Sequence, residues 1–308
     1  MWHFISDKIS EAIGDTFICE TAKLIQKQHS HACYLLKSAQ KRFFVKLHEA
    51  KVPLEHPAEM LTSLQCEAEG LAAIQATKTI KSPTLICQGA FEESQKQIEY
   101  LVMQYICFKA PSESLWQLAG KQLAAMHQCS TEDLLNNHSA RYGWPHKNWV
   151  GSTVQENLET TTWATFYIEQ RLAPLLDMLT KKNITTNIST SLLERMHAFL
   201  SGHKPVPSLL HGDLWSGNIG FSTTSPILFD PAIYVGDREI DLAMAHLFGG
   251  FAKSFFQSYE NQFPLTEGAE QRLALYQLYP VLNHALMFGG DYIQQANQLI
   301  KKIQLDIA

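Results

Sequence analysis

The stretch His211-Gly212-Asp213-Leu214-Trp215-Ser216-Gly217-Asn218, followed a few residues later by Ile227-Leu228-Phe229-Asp230, decides how this chain is read. It sets a carboxylate and an amide oxygen five positions apart in one loop. A second carboxylate then ends an apolar run that reads as a buried strand. An H-G-D triplet alone is an ordinary turn with a surface Asp. Asp213, Asn218 and a strand-terminal Asp230 in register are far harder to obtain by chance.

Phosphoryl transfer needs a positioned base for the attacking hydroxyl, a divalent metal between phosphate oxygens, and a cation on the phosphates. Asp213 suits the base, and Asn218 and Asp230 offer the few hard oxygen ligands that Mg²⁺ prefers. The spacing is that of the kinase catalytic loop. Gly212 stands where protein kinases carry Arg, which suits a kinase not governed by a phosphorylated activation loop. Asp241 precedes the apolar Leu242, Ala243 and Met244, so it is expected to be buried. There it would brace the catalytic loop with His211 rather than touch substrate. Asp237 reads instead as a helix N-terminal acid.

The first third of the chain supplies the cation. Lys46 lies within Phe43-Phe44-Val45-Lys46-Leu47, a strand otherwise apolar on both faces. A buried ammonium needs an anionic partner or loses its charge. Glu67 shares a helical face with Met60, Leu64, Leu71 and Ile74, the wrong face for a solvated carboxylate. Each anomaly resolves the other if Lys46 pairs with Glu67 and points at the phosphates of ATP. Gln104-Tyr105-Ile106 ends the last strand of this part. It is either the crossing whose backbone binds adenine or a plain linker.

Around these residues the chain divides in texture. An amphipathic helix carries Trp2, Ile5, Ile9 and Ile13. Strands are expected over 32–37, 42–48, 84–88 and 98–106, with a helix over 58–76. Beyond about Phe108, helical periodicity dominates over 114–128, 156–181, 190–201 and from Glu270 onward. The exception is a strand–loop–strand unit over 208–210, 219–221 and 227–229. The expected fold is α+β, with two lobes of protein-kinase-like form. A small antiparallel β-sheet lobe with one key helix spans 1–106, a larger mostly α-helical lobe spans 107–308, and a ligand cleft lies between them.

The 308 residues can bury a substantial core, and 45% hydrophobic with 18% charged residues is the balance of a globular chain. A net charge of −5 excludes a general nucleic-acid binder, which needs a basic excess. No apolar run approaches the roughly 20 residues that span a bilayer. Residues 1–14 have neither signal- nor transit-peptide character, so the expected compartment is the cytoplasm. The six scattered cysteines form no C-x-x-C pair and read as reduced, packed thiols. His29-x-His31 lacks further ligands for zinc. No Walker A pattern occurs, and 29–33 contains no glycine.

Four stretches resemble the fructosamine/ketosamine-3-kinases, a branch of the aminoglycoside-phosphotransferase-like kinases. They are Leu209-Leu210 running into the 211–218 loop, with its Leu-Trp-Ser-Gly insertion; Phe229-Asp230-Pro231-Ala232, continuing through Gly236-Asp237-Arg238-Glu239 to Leu247-Phe248-Gly249-Gly250-Phe251; Asn148-Trp149-Val150-Gly151-Ser152-Thr153, with Gln155, Asn157, Trp163, Phe166 and Arg171-Leu172; and Leu278-Tyr279-Pro280-Val281-Leu282-Asn283-His284, then Phe288-Gly289-Gly290. The resemblance covers nearly everything from Phe43 onward. It implies transfer of the ATP γ-phosphate to the 3-hydroxyl of a ribulosamine or fructosamine adduct, free or protein-bound, in deglycation or metabolite repair. Other small-molecule kinases of the aminoglycoside or choline type, and a nucleotide-binding pseudokinase, are the alternatives.

On the acceptor side, Trp215 either stacks on a sugar face or ammonium or plugs the space under the loop. Asn148 and Gln155 belong to a stretch rich in hydrogen-bonding side chains, facing either a polyol or solvent. Tyr279 and Asn283 share a helix face that lines either the acceptor site or the core.

Overall fold

The computed structural model of the chain describes residues 1–28, 31–50 and 60–307. Strands β1 (Thr21–Gln28), β2 (His31–Lys37), β3 (Arg42–Ala50), β4 (Leu85–Glu93) and β5 (Lys96–Gln104) form a five-stranded antiparallel sheet in the order β1-β2-β3-β5-β4. Each face is covered by one helix. Phe43, Val45 and Leu47 alternate along β3 and join Tyr100 and Val102 of β5 in packing against Ile5 and Ile9 of helix α1 (Trp2–Ile13). The other face presents Leu101 and Met103 to Leu64, Ala68 and Leu71 of α2 (Ser63–Ala76). The pleat thus sends Lys46 to the α2 side, because successive strand residues point to opposite faces.

Two local devices fix α2. Thr62 and Gln65 form a capping box: the Gln65 N–H donates to Thr62 Oγ1 at 3.4 Å and the Thr62 N–H to Gln65 Oε1 at 2.9 Å. Gly70 then lets the helix approach the segment after Asp230, where an added Cβ would lie 2.7 Å from Pro231 Cγ. Glu67, three residues earlier, shares that face.

The rest of the chain is mainly helical around one large core. Its helices are α3 (Glu113–His127), α4 (Trp163–Phe166), α5 (Ala173–Lys181), α6 (Thr190–Ser201), α7 (Glu239–Leu247), α8 (Lys253–Gln262), α9 (Ala269–Phe288) and α10 (Asp291–Asp306). A π-helical segment, Tyr167–Leu172, joins α4 to α5. Three two-stranded pairs interrupt them: β6 (Asn148–Val150) with β7 (Thr153–Gln155), β8 (Pro207–Leu210) with β11 (Tyr234–Asp237), and β9 (Ile219–Phe221) with β10 (Pro226–Leu228). The 211–218 loop bridges β8 and β9, so two short ladders anchor both of its ends. No helix among the described residues is long and apolar enough to cross a membrane.

Several sequence expectations shift here. β1 was not foreseen: Leu24 and Ile25 are adjacent and both exposed, so this edge strand lacks the alternation that signals a half-buried one. The last strand of the sheet stops at Gln104 rather than Ile106. The helix expected over 58–76 begins at Ser63, where the Thr62 cap starts it, and 58–59 lie outside the described residues. Residues 156–162 are not helical; Thr160 pairs with Tyr142 and Thr162 caps the helix at Trp163. The C-terminal helix is broken at Gly289-Gly290. The glycine-free 29–33 stretch and His29-x-His31 lie partly outside the described residues.

Removing the cap in Thr62→Ala is expected to lower stability by about 1 kcal/mol in chemical denaturation. An unchanged denaturation midpoint would show that α2 is held by packing alone.

Candidate active site

Lys46 is where the two halves of the chain meet. Its Nζ donates to both carboxylate oxygens of Glu67 at 2.8 Å and also pairs closely with Asp230 Oδ1. Burial works against the ammonium, but Asp230 and Glu67 outweigh it and raise the Lys46 pKa. Burial likewise disfavours the Asp230 carboxylate, yet Lys46 holds its pKa below the usual range. Asp230 has a φ of +56°, a left-handed backbone rare outside glycine. Such geometry persists where surrounding structure over-determines it, and here the neighbouring Phe229 is held from both ends: its N–H donates to Asn218 O at 3.1 Å and its O lies 3.0 Å from His211 Nε2.

Asp213 and Asn218 sit together at the mouth of the loop. Asn218 Nδ2 donates to Asp213 O at 2.9 Å and Asp213 Oδ2 at 3.0 Å, leaving the amide oxygen of Asn218 available to a cation. Burial pushes the Asp213 carboxyl up to about 7; Asn218 opposes the shift and the Asp230 and Asp241 charges add to it. Asp213 is therefore poised near neutrality, as a base working at physiological pH should be.

The loop backbone is held from beneath. Asp241, fully buried, accepts the His211 N–H at 2.7 Å and the Gly212 N–H at 2.9 Å. Its Oδ2 also lies 3.1 Å from His127 Nε2, and His127 Nδ1 lies 2.7 Å from the Tyr259 hydroxyl. An ionised Asp241 makes Nε2 the protonated nitrogen, so Nδ1 accepts from Tyr259. His211 is buried as well; its Nε2 donates to Phe229 O and its Nδ1 accepts the Asp213 N–H at 3.3 Å. Gly212 has a φ of +79°, and a Cβ there would lie 2.0 Å from the Ala232 carbonyl oxygen. Any larger residue would displace the loop.

The expected acceptor residues part company. Trp215 is 40% exposed, with its ring over Gly217, so it is not a plug under the loop. Asn148, Gln155 and Asn283 are buried, at 2%, 1% and 2% exposure, and Tyr279 nearly so. Asn148 donates to Ile233 O and accepts from Gln155 and Asn157; Gln155 accepts from Tyr279; Asn283 accepts from Thr153. Asn157 links Asn148 to buried Arg171, whose guanidinium donates to Asn157 Oδ1 at 2.8 Å and lies 4.0 Å from the Tyr234 ring centroid. Of the alternatives open for Asn148, Gln155, Tyr279 and Asn283, these hydrogen bonds favour the one in which their polarity meets other groups of the protein, as burial requires.

In the crossing, the Gln104 N–H is taken by Thr84 O at 2.9 Å, and Lys109 N–H donates to Phe221 O at 2.7 Å. Tyr105 and Ile106 lie between these two ties, just beyond β5. Asp237 does accept the Glu239 N–H at the start of α7, but its other oxygen is buried against His203 and the Tyr276 hydroxyl, each at 2.7 Å. His203, Asp237 and Glu239 offer ligand atoms within 4.8 Å of one another. Arg272, however, already donates to both Glu239 oxygens, so the cluster is an ion-pair network.

Sequence reasoning missed His127, which closes the amphipathic helix α3 and carries no spacing signal. It also missed the ring cluster of Phe248, His284, Phe288 and Tyr292 at the C-terminal ends of α7 and α9 and the start of α10. Gly250, two residues past Phe248, packs beside Ser216 of the catalytic loop and ties that cluster to the site. The Phe248 and Phe288 motifs were visible, but their convergence depends on the tertiary fold.

A carboxyl whose pKa is raised on folding binds its proton more tightly in the folded state. Stability therefore falls as pH rises from about 4 to about 7. In the metal-free chain, Asp213→Asn is expected to gain thermal stability over the parent across that window. A gain independent of pH would contradict the Asp213 environment described.

With this geometry in place, relatives can be compared. The fructosamine kinase family model matches residues 1–306. A probable ketoamine kinase of Synechocystis is 36% identical over 302 residues, covering 98% of this chain and 96% of that protein. A putative fructosamine-3-kinase structure from Haemophilus somnus superposes with a TM-score of 0.84 at 26% identity, covering 98% and 97% of the two chains. An aminoglycoside phosphotransferase APH(4)-Ia variant, solved as a ternary complex with AMP-PNP and hygromycin B, shares the fold at a TM-score of 0.63 and 12% identity, covering 98% and 97%. The fold is thus protein-kinase-like, and the chain belongs to the fructosamine kinase family.

Proposed function

We propose that this chain transfers the γ-phosphate of ATP to the 3-hydroxyl of a ketosamine, with Mg²⁺ as the metal. The observation that carries this reading is the meeting of Lys46, Glu67 and Asp230 beside the Asp213–Asn218 pair. Family membership supports the ketosamine as acceptor. In this reading residues 1–106 bind the nucleotide, with Gln104, Tyr105 and Ile106 running past adenine. Residues 107–308 carry the base and the acceptor site.

The donor set fits the metal: the free amide oxygen of Asn218 and the carboxylate of Asp230 are hard oxygens on adjoining segments. Mg²⁺, when bound there, neutralises charge on the phosphate oxygens. Lys46 contacts the phosphates and Glu67 aims it. Asp213 accepts the proton of the sugar hydroxyl as that oxygen attacks the γ-phosphorus, and ADP departs with the bridging oxygen. His211 and Asp241 hold the loop so that Asp213 and Asn218 keep their relative positions. Trp215 offers an exposed ring to the sugar face or to the adduct's ammonium. The 3-phosphorylated adduct is unstable and breaks down, so the activity would serve deglycation or metabolite repair.

Asp213→Ala is expected to lower transfer by about 10²–10⁴-fold while Mg-ATP binding survives. Parent protein should consume ATP with ribulosamine or fructosamine adducts and not with choline or an aminoglycoside. Undiminished turnover in the variant would sink the assignment of the base. Turnover confined to an aminoglycoside or choline would sink the acceptor, and nucleotide binding without any transfer would favour a pseudokinase.

A further inference from the structure

A cavity lies on the far side of helix α7 from Asp241. Helices α7, α8 and α9 enclose this cavity of about 380 Å³, within the range of small-molecule pockets. Its walls are mostly apolar, with Leu242, Leu265 and Leu273 among them. His246 and Phe256 line one side as a stacked pair, with ring centroids 3.8 Å apart and planes 13° apart, a flat face for an aromatic guest.

The charge around the cavity selects the guest. Glu239 is matched by Arg272 and Glu260 accepts the Leu265 N–H at 3.1 Å, but Glu260 and Glu270 are both exposed carboxylates without a cationic partner in the cavity lining, which contains no Lys or Arg. An aromatic carboxylate or phosphate would meet like charge, whereas an aromatic amine would meet opposite charge in a partly desolvated mouth. Tyr259, one wall of the cavity, carries its hydroxyl to His127 Nδ1 at 2.7 Å. His127 continues to Asp241, which holds the His211 and Gly212 N–H groups. Three contiguous groups, Tyr259, His127 and Asp241, thus connect the cavity wall to the catalytic loop.

We propose that this cavity is a regulatory binding site for a small aromatic amine, read out at the catalytic loop through Tyr259, His127 and Asp241. The probe is tryptamine, with indole-3-propionate as its acidic counterpart, titrated calorimetrically into the full chain. Tryptamine is expected to bind saturably with a Kd below about 1 mM, and the acid about tenfold more weakly. Ala269→Trp, which fills the cavity, should abolish tryptamine binding. Glu270→Lys, an exposed change that leaves the core intact, should weaken it several-fold and narrow the gap to the acid. No saturable binding, equal binding of the acid, or unchanged binding in both variants would overturn the site.

These arms require no catalytic assay. For the regulatory link, saturating tryptamine should shift Mg-ATP affinity about threefold or more in the parent. Tyr259→Phe, which keeps the ring and removes the hydroxyl, should retain tryptamine binding and lose that shift. No shift in the parent, or a full shift in Tyr259→Phe, would overturn the link and leave a plain binding site.

Discussion

One buried ammonium, shared by two carboxylates from distant parts of the chain, is the constraint on which the rest of the structure depends. Lys46 comes from the middle of the sheet, Glu67 from the helix beneath it, and Asp230 from the loop after β10. Lys46 and Glu67 are the two that water barely reaches, and either left unpaired there would cost several kcal/mol, whereas Asp230 keeps part of its side chain in solvent. The surrounding devices serve this meeting. The pleat of β3 selects the face, the Thr62 cap and the close approach at Gly70 set the height of α2, and the left-handed backbone at Asp230 turns its carboxylate toward Lys46. Apolar side chains of similar volume would fill this space without the cost of burying charge, so the trio fits a chemical role better than a folding one.

The catalytic loop obeys a second, separate logic. Its backbone donors are absorbed by Asp241, its histidine is locked between Phe229 and Asp213, and Gly212 is required by the Ala232 carbonyl. The loop therefore has little freedom of its own, and a group that moves Asp241 moves the loop. That is why the His127–Tyr259 connection matters, and why a cavity walled by Tyr259 is a reasonable place from which to regulate the site.

Much of this was legible in the residues alone, for identifiable reasons. Lys46 and Glu67 were visible because each breaks an apolar pattern, and a broken pattern is a signal. The 211–218 loop was visible because its chemistry is local, all within eight consecutive positions. Asn148, Gln155, Tyr279 and Asn283 stayed ambiguous because a polar-rich stretch reads identically whether it faces a ligand, water or its own buried partners. Only the fold reveals that Asn148 accepts from Gln155 and Asn157, and that Asn157 in turn accepts from Arg171. β1 was unreadable for the opposite reason: an exposed edge strand buries too little to impose a pattern. His127 and the aromatic cluster around His284 depend on contacts between residues far apart in sequence, which no spacing rule captures.

The proposed transfer, in which Asp213 takes the proton of one ketosamine hydroxyl while that oxygen receives the γ-phosphate of ATP, is tested most directly by the position of the phosphate in the product. Phosphorus–proton correlation NMR on the reaction of Mg-ATP with a fructosamine adduct should show the new phosphorus coupled to the proton on C3 of the sugar. Coupling to a terminal carbon, or phosphate appearing only as inorganic phosphate with the sugar unmodified from the start, would contradict it.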